Sequence, residues 1–323
     1  MEYDIIPFPR SRKLEVDALQ MAAKRHIIHG FLEVDVTEPR RILKGTSGSD
    51  NHPLSFTAYV IACYARAIHA HPTVQAYRDL RNRLIVFHDV DVSTLVEHRT
   101  SNIPVAHIIR SANTRSVREI SEEIRAVQAD PHPWGKLEGS VALAARLPRF
   151  VRILYLHSLK LNPNRIKQID GTTEVSSFGM FGRNVRWGIG LLYIHTVGLW
   201  VGGVTERPMA HEGNIALRES LNVTLSFDHD LVDGAPAARF ASTFTELLES
   251  GVLLDGEAAG YLTQDQYAIP AKELAGGLFS AAQPAAIPFG YQVPFEEMVF
   301  ENAELTNESD EPGQVFRRER GEE

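Results

Sequence analysis

Residues 221–240, LNVTLSFDHDLVDGAPAARF, constrain the fold of this chain more than any other stretch. Leu221, Val223, Leu225 and Phe227 alternate with Asn222, Thr224, Ser226 and Asp228, the period of a strand with one buried face. From Ala237 to Glu249 the apolar residues Ala237, Phe240, Phe244, Leu247 and Leu248 recur at three-to-four spacing, the period of a helix with one buried face. A short polar loop joins the two. A strand that feeds a helix through a tight loop is a unit of α/β architecture.

The rest of the chain up to about residue 250 follows the same mixture. Lys13 to His29 reads as a helix, and Phe31 to Val36 alternates as a strand, with Glu33 and Asp35 opposite Leu32, Val34 and Val36. Ser55 is placed to cap a helix that runs to His71, where a His-Pro pair closes it. Arg83 to Val92 and Ile103 to Ile109 are strand-like, and Ser116 to Ala129 is an amphipathic helix. A second helical piece is expected from Leu137 to Leu161, interrupted at Pro148. A turn is expected through ERPMAHEGN, residues 206–214. The most apolar run, Trp187 to Val204, contains five glycines and His195, which fits buried strands better than a membrane span.

Charge and cysteine usage narrow the function classes. The net charge is −8, and the 29 residues from Phe295 onward carry ten acids against three arginines, leaving the body nearly neutral. No basic face for nucleic acid or anionic lipid is implied. The single cysteine, Cys63, excludes an internal disulfide and a Cys-based zinc cluster, and its apolar neighbours predict a buried thiol. His26, His29, His107, His195 and His211 stand at no convincing metal-ligand spacing, so no metal site is expected. The N-terminus has no signal-peptide pattern, and a cytoplasmic location is expected.

The chemistry concentrates at the end of the 221–228 strand. A histidine there, His229, can be held rigidly with a ring nitrogen facing a cavity, which is what a general base requires. Asp233 can anchor the loop, and Gly234 offers backbone freedom at the turn into the helix.

SFDHDLVDGAPAARF resembles the motif of the dihydrolipoyl acyltransferase catalytic domains of 2-oxoacid dehydrogenase complexes, which are similar in fold to chloramphenicol acetyltransferase. GTTEVSSFGMFG, residues 171–182, is similar to that family's Gly-Thr-x-Thr-x-Ser-Asn-x-Gly-x-x-Gly stretch. LEVDVT at 32–37 resembles the family's early strand, and AIHAHPTVQA its helix end. The resemblance implies an α/β two-layer sandwich, a mixed sheet covered by helices, over residues 1–252. It implies acyl transfer from a coenzyme A or other thioester to a thiol, hydroxyl or amine, with His229 as base and no tightly bound cofactor. Ser176 stands where the family places the hydroxyl that stabilises the oxyanion. Asp233 would hold the histidine loop, with Arg12 as its N-terminal partner; Ser226, Asp228 and Gly234 would support it. A homotrimer, or a larger assembly of trimers, is implied, with Ser176 and His229 contributed by different copies.

Three features depart from the family pattern. The fold's first elements begin close to Met1, with no lipoyl or subunit-binding module ahead of them, so a stand-alone member is expected. The residue after the histidine, usually Arg in the complex acyltransferases, is Asp230. An insertion is expected at about 131–170, carrying the basic-apolar stretch LARLPRFVRILYLHSLKLNP. Residues 253–323 read as an acidic C-terminal extension, disordered at its end. The alternative to an acyltransferase is a non-catalytic core or scaffold subunit associated with 2-oxoacid dehydrogenase subunits.

Overall fold

The computed structural model describes residues 3–9, 12–45, 53–97, 104–130, 146–179 and 185–254. All belong to the first of the chain's two units, Met1–Leu278. The polar loop before Pro53, the first part of the expected insertion, the end of the glycine-rich stretch and the chain beyond Leu254 lie outside the described residues.

In chain order the elements are α1 (Arg12–Ala22), β1 (Ile27–Asp35), α2 (Thr37–Gly45), α3 (Phe56–Ala70), β2 (Tyr77–Arg78), β3 (Leu84–Ile85), β4 (Val92–Glu97) and β5 (Pro104–Ile109). They continue with α4 (Val117–Ala129), α5 (Arg149–Lys160), α6 (Pro163–Asp170), β6 (Thr173–Ser177), β7 (Val197–His211), β8 (Asn214–Asp228) and α7 (Gly234–Ser250). Six strands form one sheet in the order β1-β8-β7-β6-β4-β5, while β2 and β3 pair separately. β6 runs parallel to β4 and β7, and the other pairings are antiparallel. The sheet is mixed, as expected for an α/β sandwich.

The apolar face of β8 (Leu221, Val223, Leu225, Phe227) shares a core with residues of α3, α4 and α7. Phe240 of α7 meets Tyr64 of α3 and Phe227 of β8 edge-on, with ring centroids 5.9 and 5.8 Å apart. Such edge-to-face pairs add about 0.5–1.5 kcal/mol beyond the area they bury. Two buried tyrosines satisfy backbone and strand. The Tyr59 hydroxyl donates to the Leu248 carbonyl at 2.8 Å, in the last turn of α7, where helical carbonyls lack internal partners. The Tyr64 hydroxyl meets Thr173 Oγ1 on β6 at 2.7 Å. Cys63 is fully buried beside them, and burial pushes its thiol up to about 12, which leaves it chemically inert.

Local signals placed most helices well. Ser55 caps α3 by accepting from the Ala58 amide, and Ser116 and Glu119 form a reciprocal capping box at the start of α4. Elsewhere the structure departs from the expectation. The first helix stops at Ala22, because from Ile27 onward the backbone is recruited into the ladder with β8 (Ile27 opposite Asp228). The expected strand at Arg83–Val92 shrinks to the two residues of β3, and the main-sheet ladder starts only at Val92. α2 was not anticipated. The turn at 206–214 is tighter than expected. His211 pairs with Asn214, leaving Glu212 and Gly213 at φ 49° and 78° as a two-residue hairpin turn.

The apolar run is only partly strand. Residues 187–196 are irregular and cross the sheet, and β7 begins at Val197. A side chain at Gly188 would strike the Phe178 ring, and one at Gly190 the Trp200 ring. At the irregularity between Val201 and Val204 the Gly203 amide donates to the Arg186 carbonyl at 3.1 Å. A Cβ on Gly202 would lie 2.0 Å from that same carbonyl oxygen and 2.8 Å from that of Asn222. Backbone on both sides cannot yield as a side chain can. Gly202→Ala is therefore expected to lower unfolding free energy by about 1–3 kcal/mol in urea denaturation; an unchanged midpoint would show that the crossing segment is not packed this closely.

Candidate active site

β8 ends at Asp228, and the chain turns at once: the amides of Leu231 and Val232 both donate to the Asp228 carbonyl at 3.0 Å. His229 sits on this turn. Its backbone amide donates to the His26 carbonyl at 2.7 Å, and its imidazole is partly exposed. Nδ1 lies 3.7 Å from Asp233 Oδ1, an ion-pair distance longer than a hydrogen bond. Asp233 occupies the N-cap position of α7 without making a side-chain cap. Gly234 is the first residue of that helix. It has no positive φ and a Cβ there would meet nothing within 4 Å, so the turn does not use the freedom expected of it.

The buried anchor of this loop is Asp228. Arg25 Nη2 pairs with Asp228 Oδ2 at 2.8 Å, both side chains being less than a tenth exposed, while Arg25 Nη1 donates to the His195 carbonyl at 2.7 Å. Arg12 is elsewhere: it is exposed and pairs with Glu15, three residues along its own helix, at 2.7 Å. The sequence signal for Arg25 was its place just ahead of β1. Once β1 is paired with β8, the residues before Ile27 must lie beside those after Asp228.

Ser226, one pleat back on β8, is fully buried. It accepts from Trp200 Nε1 at 2.7 Å and lies 2.8 Å from His29 Nδ1. Ser176 lies on β6, half-buried, opposite Trp200, which in turn stands opposite Thr224. Asp228 is four residues beyond Thr224. At about 3.4 Å per residue and about 4.8 Å between strands, Ser176 is about 14 Å along and about 10 Å across from the strand end that carries His229. No serine hydroxyl and imidazole can meet across that span within one chain.

Between them lies a layer of buried ionisable groups. Burial pushes the Asp170 carboxyl up to about 6 although Ser93 donates to it, and burial together with Asp170 raises Glu174 well above the carboxylate range. His195, fully buried, is pushed down to about 3 by burial and by the Arg25 charge. Its Nε2 lies 3.0 Å from the Asp170 carbonyl, so that nitrogen carries the proton. Among the remaining histidines, His107 pairs with Glu123 at 2.6 Å and His26 with Asp230 at 2.8 Å. Among the described residues, no group of three or more His, Cys, Asp or Glu side chains could hold a metal ion, and no helix is long and apolar enough to cross a membrane.

Two consequences can be measured. Arg25→Leu strands a buried Asp228 and should cost about 3–5 kcal/mol in denaturant unfolding, whereas Arg12→Leu should stay within about 0.5 kcal/mol. Equal costs would contradict the assignment of Arg25 as the anchor. Asp170 binds its proton more tightly folded than unfolded, so its contribution to stability is lost as pH rises from about 4 to 6. Asp170→Asn should therefore gain on wild type across that window, by an order of 2–3 kcal/mol at neutral pH, and a pH-independent difference would contradict this.

Comparison with known proteins assigns the family and the fold. The family model described as 2-oxoacid dehydrogenases acyltransferase (catalytic domain) matches residues 1–132 and 156–254, passing over part of the expected insertion. The dihydrolipoyllysine-residue acetyltransferase component of the pyruvate dehydrogenase complex of Mycoplasma capricolum is 24% identical over 262 residues, covering 79% of this chain and 52% of the relative. The chain spans about half the length of the curated relatives it matches. Two solved structures share the fold, each at TM-score 0.60 and 17% identity over 78% of this chain and 94% of theirs. One is the cubic core of the pyruvate dehydrogenase multienzyme complex. The other, the dihydrolipoamide acetyltransferase of Azotobacter vinelandii, was solved to examine the role of a serine, a histidine and an asparagine in its catalytic mechanism. With its sheet, its strand-end histidine and the family model matched over most of its length, the chain belongs to the 2-oxoacid dehydrogenase acyltransferase (catalytic domain) family.

Proposed function

We propose that this chain is an acyltransferase that passes an acyl group directly between coenzyme A and an acceptor thiol, hydroxyl or amine, at a site shared by two copies. The observation that carries the reading is the placement of His229: a partly exposed imidazole on a turn fixed through its own amide and through the buried Arg25–Asp228 pair. Ser176 cannot reach it within the chain, so the serine that completes the site comes from a neighbouring copy, as a homotrimer would supply.

The chemistry is a proton transfer coupled to addition. The imidazole of His229 takes the proton of the acceptor thiol, and the sulfur adds to the thioester carbonyl. The electron pair of the C=O bond moves to oxygen, where the Ser176 hydroxyl donates a hydrogen bond. Collapse of this intermediate re-forms C=O, breaks the bond to coenzyme A sulfur, and returns the proton from His229 to the leaving thiolate. Asp233 Oδ1 stands 3.7 Å from Nδ1 of the ring during this exchange. No acyl-enzyme is needed when donor and acceptor meet at one histidine.

Spacing supports the same residues. In the Azotobacter enzyme the serine precedes the histidine by 52 residues and the asparagine follows it by four. Here Ser177 precedes His229 by 52 and Ser176 by 53, and the fourth residue after it is Asp233, an aspartate in place of that asparagine. Assembly of trimers into a larger particle, and docking of 2-oxoacid dehydrogenase subunits on it, extend the proposal.

With acetyl-CoA as donor and dihydrolipoamide as acceptor, His229→Ala should reduce kcat by about 10²–10⁴ and Ser176→Ala by about 10², both with the far-UV spectrum unchanged. Full activity in the His229→Ala protein would refute the mechanism.

A further inference from the structure

Two adjacent residues grip three consecutive residues of the loop that carries His229. Arg25 holds the Asp228 carboxylate, the His26 carbonyl holds the His229 amide at 2.7 Å, and the His26 imidazole Nδ1 meets Asp230 Oδ1 at 2.8 Å. The first two grips are buried or backbone. The third is exposed, ionisable, and made by the carboxylate that stands where the complex acyltransferases usually carry arginine.

We propose that His26 is a positioning residue that clasps Asp230 and thereby makes the placement of His229 depend on pH. The inference rests on His229 being the base of the proposed reaction. An imidazolium holds Asp230 by opposite charge and hydrogen bond together; a neutral imidazole keeps only a hydrogen bond to the carboxylate. Because His26 meets the loop at two points one residue apart, its carbonyl accepting from the His229 amide and its ring donating to Asp230, loosening the side-chain grip frees Asp230 while the His229 amide remains held. The imidazole of His229 then samples more orientations, and fewer of them face an acceptor.

The charged groups around His26 support a titration in the useful range. Its hydrogen bond with Asp230 and the charge of Asp230 raise its pKa, exposure to solvent leaves desolvation a minor opposing effect, and Asp228 adds a smaller upward push. Arg25, next in sequence, is engaged by Asp228 and the His195 carbonyl. His195 itself is buried with its pKa pushed down to about 3, so it contributes no charge near neutrality. Asp233 pairs with His229 rather than with His26. The sign follows: the clasp is complete below the raised His26 midpoint and weakens as pH climbs through it. The loss on the alkaline side of the activity profile therefore belongs to His26.

Asp230→Asn removes the charge while keeping an acceptor of the same shape. The ratio of wild-type to Asp230→Asn kcat, measured with acetyl-CoA and dihydrolipoamide, should be about two- to fivefold below the His26 midpoint and approach one above it, with KM little changed. By NMR, the His26 ring should titrate above the usual histidine range in wild type and return to it in Asp230→Asn, and the His229 amide resonance should move with the same midpoint. A kcat ratio that is constant with pH would reduce Asp230 to a structural role and overturn the proposal. So would a His26 midpoint that Asp230→Asn leaves in place. If neither protein transfers acyl groups, the reading of His229 as base fails, and the NMR titration still decides whether the clasp exists.

Discussion

The antiparallel ladder between β7 and β8 is the constraint on which the remainder of the molecule depends. It runs from Val197 opposite Phe227 to His211 opposite Asn214, and its register shifts by one residue at the bulge between Val201 and Val204. A one-residue slip would turn Leu221, Val223, Leu225 and Phe227 away from the helices and present Asn222 and Thr224 to the core. The same register decides the chemistry. It puts Trp200 level with Ser176 on one side and Thr224 on the other, and it leaves His229 beyond the far end. Distance along this ladder is what keeps Ser176 and His229 apart within one chain.

Behind that ladder the protein tolerates an unusual concentration of buried ionisable groups. A lone buried charge costs several kcal/mol, and here most of the charge is matched or avoided, Asp170 being the group that still ionises below neutrality. Arg25 and Asp228 neutralise one another at 2.8 Å. His195 and Glu174 avoid charge by shifting their protonation in opposite directions, down for the imidazole and up for the carboxyl. Beside these groups is the partly exposed His229 imidazole, on a turn held through its own amide. An active-site base needs that combination of fixed position and free ring nitrogen.

The parts legible in the sequence are those whose information is local. Ser55 and Ser116 announce α3 and α4 because a cap is read within four residues, and β8 and α7 announce themselves by uninterrupted periodicity. The strand-end position of His229 followed from the same periodicity. Arg25 escaped because its role is created by the β1–β8 pairing, two segments about two hundred residues apart; the more conspicuous Arg12 had no way to show that it would spend its charge on Glu15. The crossing segment 187–196 was read as strand because its apolar and β-branched residues satisfy that pattern. Whether Gly188 and Gly190 mark strand or close approach depends on Phe178 and Trp200, which only the fold brings to them. His26 carries no local signal of its contact, because its partner, Asp230, lies just past the end of β8, the strand paired with β1.

Subunit mixing tests the shared site most directly. His229→Ala chains keep Ser176, and Ser176→Ala chains keep His229, so each protein alone lacks every complete site. In randomly mixed assemblies of the two, a site drawing one residue from each of two copies is intact in about a quarter of cases. Co-refolding equal amounts and assaying transfer from acetyl-CoA to dihydrolipoamide should recover about that fraction of wild-type kcat. Activity that stays at the level of the separate variants, in mixed assemblies verified by mass, would contradict a site built from Ser176 of one copy and His229 of another.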